Sequence, residues 1–141
     1  MYKKVLLILL MMLLVVSKSS SESLQCKIIK ITDGDTVKGV CNNNLTNIRL
    51  LGIDSYESRR NNRAYKQAYL QHLKIDKVVE KGKQATKFTY EELMDKDVIL
   101  INNTSQLKDR YGRTLGNLYI NGSNINEKLL NEHPDVFLKY E

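Results

Sequence analysis

The chain has 141 residues, 42% of them hydrophobic and 27% charged, which bounds it to one domain with short appendages. It shows no internal repeat and, beyond its N-terminus, no low-complexity segment, so repeat and low-complexity classes are excluded. The formal charge is +6; of the 22 basic residues Lys3, Lys4 and Lys18 lie in the N-terminal segment, and the remaining 19 face 16 acids, a balance of about +3 that favours polyanions without proving one.

Residues 1–4 form a basic head, 5–16 an unbroken apolar run and 17–21 a small polar exit. That order is the pattern of a secretory signal, and the run is too short to span a bilayer comfortably. We therefore expect residues 1–21 to be a signal peptide, with an uncleaved N-terminal anchor as the alternative, and residues 24–141 to form the folded domain. The mature protein is then expected outside the cell or in the periplasm. A lipoprotein site at Cys26 is disfavoured because Gln25, the residue before it, is not small.

Residues 26–31 read as a strand rich in β-branched positions, and 36–41 as its return. Asp33-Gly34 between them is a two-residue hairpin signal. Counting outwards places Thr32 opposite Asp35 and Cys26 opposite Cys41. In an oxidising compartment the two cysteines are expected to form a disulfide, closing a loop worth about 3 kcal/mol in the chain-entropy description. Two free buried thiols are the alternative. Asn42-Asn43-Asn44 is a turn of residues that tolerate positive φ, and 45–53 is a third strand.

Residues 55–73 change character, with Arg59, Arg60, Arg63, Tyr56, Tyr65 and Tyr69. Tyr65, Tyr69 and Leu73 recur at i, i+4 and i+8, predicting a short helix over 62–73. Asp76 is a candidate cap for a longer helix over 77–94, in which Gly82 and Ala85 permit close packing at some cost in helix propensity. The nearly all-apolar run 97–102 is a buried fourth strand. Residues 114–120 are a fifth, closed by the turn signal Asn121-Gly122. A terminal helix over 125–132 stops before Pro134, and 136–140 is a short apolar tail. Three strands, a helix, two strands and a helix make an α+β, mainly β chain. Its expected architecture is a five-stranded antiparallel OB-fold barrel with a helix between strands 3 and 4 and a short C-terminal helix.

Three stretches at strand ends hold the informative polar residues: Asp33-Gly34-Asp35-Thr36, Arg49 through Glu57, and Asp109-Arg110-Tyr111-Gly112-Arg113. Asp35 and Asp54 are hard oxygen donors suited to Ca²⁺. Arg49 and Arg113 are permanent planar cations that can grip phosphate oxygens where a phosphoryl transition state gathers charge. Arg49, flanked by apolar residues on a strand, needs a partner if it faces inward. Glu57 can orient or deprotonate a water. Singly, each reads as well as a turn acid or a surface ion pair. His72 and His133 have nothing lined up beside them and are not read as acid–base groups.

Together, those three blocks resemble the signature blocks of the staphylococcal nuclease (thermonuclease) family, and Asn126-Glu127 before Leu129-Leu130 resembles its final Asn-Glu-x-Leu stretch. The resemblance covers most of residues 26–132. It implies an OB-fold, calcium-dependent phosphodiesterase that acts on DNA and RNA and leaves 3′-phosphate ends. It further implies that Asp35, Asp54 and the Ser55 backbone carbonyl hold Ca²⁺, with Asp33 behind them. Arg49 and Arg113 would clamp the scissile phosphate, Glu57 would act on the attacking water, and Arg110 and Tyr111 would contact substrate. Single-stranded or frayed nucleic acid would be favoured, and the protein would be a monomer with no protein partner.

Tyr56 stands where the family usually has Pro, leaving the approach to Glu57 without a ring constraint, and Ser55 stands where Thr is usual. The stretch 56–73 is longer than the family's loop. The chain as given stops at Glu141, short of the family's last helix, and Phe137 and Tyr140 are expected to substitute in part. The competing expectation is a non-catalytic OB-fold module that binds nucleic acid or anionic sugars in a salt-sensitive way.

Overall fold

A computed structural model describes residues 22–140; the expected signal peptide or anchor over 1–21 lies outside them. Strands β1 (Glu22–Asp33), β2 (Thr36–Cys41) and β3 (Asn44–Leu50) form an antiparallel meander. Strand β5 (Asp97–Asn102) pairs with the first half of β1, and β6 (Thr114–Ile120) pairs with β5. The barrel closes where β3 meets β6, Ile48 opposite Thr114 and Leu50 opposite Gly116. Among the described residues this seam is the one parallel pairing in an otherwise antiparallel five-strand barrel, mainly β with three helices, as the order of elements predicts.

Strand β1 serves two neighbours because it bends. Its register against β2 shifts between Ile28 and Lys30 and again between Ile31 and Asp33. Such bulges raise local twist and let one strand turn a barrel corner. They also move the hairpin. The two-residue loop is Gly34-Asp35, with Asp33 opposite Thr36, rather than the predicted Asp33-Gly34. Both shifts lie on the turn side of Ile28, so Cys26 still faces Cys41, and the two are joined in a disulfide.

Helix α1 (Asn62–Gln71) and helix α2 (Ile75–Leu93) fill the span between the strands on either side. Asn61 caps α1, its Oδ1 accepting from Ala64 N at 2.8 Å. The predicted cap of α2 is corrected: Lys74 holds that position with no side-chain bond, and Asp76 lies inside the first turn, ion-paired with Arg60. There its negative charge complements the helix N-terminus instead of capping it. Helix α2 buries Val78, Gly82, Ala85, Thr89 and Leu93. Ala85 and Leu93 join the barrel core of Ile28, Val37, Ile48, Leu50, Leu100 and Leu118, whereas Val78 meets Tyr56 and Ala64 in a second, smaller core.

Leu50 ends β3 early. Leu51-Gly52 forms a turn, Gly52 at φ +78, and the chain resumes as β4 (Ile53–Ser55). The predicted strand over 45–53 is thus two strands separated by a glycine that adopts a backbone few other residues tolerate. The apolar tail becomes β8 (Phe137–Lys139), which pairs with β4 through Ser55–Phe137 and Ile53–Lys139. Strand β7 (Ser123–Asn124) folds back on β6 across the Asn121-Gly122 turn, and helix α3 (Ile125–Glu132) follows. Asn126, 1% exposed, donates from Nδ2 to Leu51 O and Gly116 O, and its Oδ1 accepts from Leu118 N. One amide therefore ties the Leu51-Gly52 turn to β6 and α3.

Candidate active site

The site begins with the Gly34-Asp35 turn. A Cβ on Gly34 would lie 2.7 Å from Ala85 Cβ and 2.8 Å from Ser55 Cβ, so only glycine lets this turn seat against α2 and β4. Thr89 Oγ1 donates to Gly34 O at 2.6 Å, and Leu50 N donates to Asp35 O at 2.8 Å. Asp35, thus fixed, is buried. Its Oδ2 accepts from Ser55 N at 3.0 Å and its Oδ1 from Thr36 Oγ1 at 2.9 Å.

Arg49 is also buried and is paired, as an inward arginine requires. Its Nη1 donates to Leu50 O at 2.7 Å and Ile53 O at 2.8 Å, and its Nη2 lies 3.3 Å from both Asp35 Oδ2 and Asp54 Oδ1. The β3–β4 break is what makes this possible, because Leu50 and Ile53 turn their carbonyls onto the guanidinium. The arrangement brings Asp35, Arg49, Asp54 and Ser55 together, as the sequence predicts.

The acids share more negative charge than the arginine cancels. Burial, and then the charge of Asp35, push the Asp33 carboxyl up to about 7. Burial also acts against the charge on Asp35, but the hydrogen bond with Asp33 and the Arg49 charge hold it down at about 2. Burial and the contact with Asp35 raise Asp54, against the pull of Arg63. A site of hard oxygens with excess negative charge fits a hard cation. Only two carboxylates converge, and no group of three or more His, Cys, Asp or Glu is assembled among the described residues. The remaining positions on a cation would fall to a carbonyl and water. Ser55 O accepts from Gln67 Nε2 at 3.1 Å and keeps its second lone pair.

Glu57 sits just beyond, its carboxylate accepting from Asn61 Nδ2 at 3.0 Å and lying 3.3 Å from Arg63 Nη1. The missing proline before it is compensated from α1. Gln67 Oε1 accepts from Glu57 N at 2.9 Å while Gln67 Nε2 holds Ser55 O, so one buried amide clamps both sides of Tyr56. The Tyr56 ring is buried against Ala64 and Val78. Gln67 and Asn61 were not legible as site residues from the sequence. The available signal was Asn61 as a cap, and Gln67 as a polar residue four positions after Arg63 on the inner helix face.

Asp109 holds Arg113 twice, accepting from its Nε at 2.6 Å and its backbone N at 3.0 Å. Those bonds overcome burial and lower the Asp109 carboxyl. Arg113 Nη1 reaches Thr36 Oγ1 at 3.3 Å, and Thr36 in turn holds Asp35. Tyr111 is exposed, with Arg110 4.8 Å and Arg113 5.4 Å from its ring centre. Tyr140 stands 5.7 Å from the Arg49 guanidinium, and Phe137 is buried in the core. Arg49, Arg63, Arg110, Tyr111, Arg113 and Tyr140 line one open cavity of about 850 Å³. His133 stacks on Phe88 with ring centres 3.6 Å apart and stands apart from this cluster.

A small closed barrel with carboxylates and guanidiniums gathered at one rim defines an OB-type domain. Residues 47–133 match the family described as Staphylococcal nuclease homologue, and the chain belongs to that family. It is similar to the uncharacterized protein MJ1439 of Methanocaldococcus jannaschii, 39% identical over 112 residues that cover 74% of this chain and 54% of that protein. It is also similar to a thermonuclease of Staphylococcus hyicus, 32% identical over 114 residues, covering 81% and 59%. Endonuclease YncB of Bacillus subtilis is 28% identical over 113 residues, covering 77% and 47%. The chain spans about half the length of these relatives.

Proposed function

We propose that this chain is a calcium-dependent nuclease that hydrolyses phosphodiester bonds within DNA and RNA, acts outside the cell or in the periplasm, and leaves 3′-phosphate ends. The observation that carries the reading is the convergence of Asp35, Arg49 and Asp54, with Glu57 and Arg113 on the rim of the same arrangement. Two relatives bear the printed names thermonuclease and endonuclease, which supports the same chemistry.

Asp35, Asp54 and the Ser55 carbonyl would hold Ca²⁺. When bound, that ion supplies charge neutralisation and polarisation of a phosphoryl oxygen. Arg49, pinned on Leu50 O and Ile53 O, and Arg113, pinned on Asp109, present preset cations to the phosphate, so little reorganisation is needed as charge develops. Glu57 takes a proton from the attacking water. The new P–O bond forms as the bond to the 5′-oxygen breaks, and that oxygen takes up a proton from solvent, giving a 3′-phosphate and a 5′-hydroxyl. Arg110 and the exposed Tyr111 offer a charge and a stacking face to the neighbouring nucleotide, which suits a single or frayed strand.

The test is digestion of single-stranded DNA by the purified protein with Ca²⁺ or with EDTA. Degradation is expected only with Ca²⁺ and should fall at least about a hundredfold in Glu57→Gln, the scale of a lost general base. Salt-sensitive binding without turnover would instead make the chain a binding module.

A further inference from the structure

Arg63 has no part in the chemistry above, yet it sits against the carboxylates that chemistry uses. It is the second residue of α1, and its guanidinium joins two of them: Nη2 lies 2.6 Å from Asp54 Oδ1, and Nη1 lies 3.3 Å from Glu57 Oε1. Among the described residues it makes no other hydrogen bond or ion pair. Arg49, which shares Asp54 Oδ1, is buried and fixed on two carbonyls. Arg63 is half exposed and lines the open cavity. One guanidinium is therefore fixed to the acid cluster and the other is free to leave it.

We propose that Arg63 is an exchangeable counter-ion: it holds Asp54 and Glu57 in the metal-free protein and is displaced from Asp54 when a divalent cation binds. This rests on the reading of Asp35 and Asp54 as cation ligands. Arg49 and Arg63 already share Asp54 Oδ1, and a divalent cation cannot join them there at bonding distance without strong mutual repulsion, since like charges a few ångströms apart in a partly buried site are poorly screened. The fixed Arg49 cannot relieve that repulsion. Arg63 can, by rotating its long side chain into the cavity. Arg63 thus lowers the site's cation affinity, much as the count of ligand charges tunes calcium sites.

The test is calorimetric titration of Ca²⁺ into the full chain without nucleic acid, for the wild type, Arg63→Gln and Arg63→Lys, with thermal melts in EDTA and in saturating Ca²⁺. Arg63→Gln is expected to bind Ca²⁺ about three- to tenfold more tightly than wild type, the scale of losing a half-exposed ion-pair competitor. Arg63→Lys should fall between the two. In EDTA, Arg63→Gln should melt below wild type, because Asp54 and Glu57 lose their partner, but its Ca²⁺-induced rise in Tm should be larger. A purely structural role would lower both melts equally. Equal affinities, or weaker binding in Arg63→Gln, would overturn the proposal. Absence of binding heat in all three proteins would overturn it together with the metal assignment, whereas heat in all three with unchanged affinity removes only the role of Arg63.

Discussion

Gly82→Ala sets two effects of opposite sign against each other. Alanine in a helix interior is favoured over glycine by about 1 kcal/mol, so helix propensity alone makes the change stabilising. The structure reverses that sign. A Cβ at position 82 would lie 2.3 Å from Glu57 O and 2.6 Å from Ser58 N, both backbone atoms. An ordinary carbon–oxygen contact is about 3.3 Å, so the Glu57 backbone and α2 must separate by about 1 Å. Overpacking of this kind costs about 1–3 kcal/mol, and the propensity gain offsets only part of it. The same displacement moves the residue proposed to act on water, and a misplacement of about 1 Å in a reacting constellation costs on the order of a hundredfold in rate. We expect Gly82→Ala to lose about 1–2 kcal/mol in urea unfolding followed by circular dichroism. Its kcat on single-stranded DNA should fall by about ten- to a hundredfold with less change in KM. A variant that is more stable than wild type and turns over at the wild-type rate would refute the reasoning, because it would show that α2 does not set the position of Glu57.

Gln67→Leu removes the amide that clamps both sides of Tyr56; we expect about 1–3 kcal/mol lower stability and a kcat loss of roughly tenfold, and unchanged steady-state kinetics would remove Gln67 from the positioning of Glu57. Asn126→Ala leaves Leu51 O, Gly116 O and Leu118 N without their side-chain partner, so chemical unfolding should show a loss of about 2–4 kcal/mol; a loss under about 0.5 kcal/mol would contradict the latch. In metal-free protein the Asp33 carboxyl, raised by burial to about 7, binds its proton more tightly folded than unfolded. Its contribution therefore weakens the fold as pH rises from about 4 to about 7, and Asp33→Asn should flatten that part of the stability curve; an identical slope in the variant would exclude Asp33 as its source.

Local signals were read well where a turn or cap residue marks the boundary. Strands β5 and β6 and helix α3 lie where the apolar run, Asn121-Gly122 and Pro134 put them. The Cys26–Cys41 pairing came out of a count from Asp33-Gly34 because the two bulges of β1, on the turn side of Ile28, offset the one-residue shift of the true loop. The same bulges hid the true loop, since a bulge inserts a residue without any change in composition. The early end of β3 was missed for a related reason. Gly52 was visible, but what it serves, the aiming of Leu50 O and Ile53 O at Arg49, is a relation between a turn's carbonyls and a side chain, which no strand periodicity encodes.

What the amino-acid sequence alone determined is what neighbours in the chain decide: the α+β strand order, the barrel expectation, the hairpin cysteines, and the types of charge held at strand ends. Tertiary structure decided which of those charges meet. Arg113 reaches Thr36 across 77 residues, Asp35 receives Ser55 N across 20, and Arg49 is shared by two acids, one in the β1–β2 turn and one in β4. It also decided how Glu57 is aimed without a proline, through Gln67 on one side and the bare backbone of Gly82 on the other. The physical reason is that side-chain chemistry and backbone preference are carried by each residue, whereas convergence depends on how helix, turn and strand pack. Packing is a property of the closed barrel and not of any segment within it.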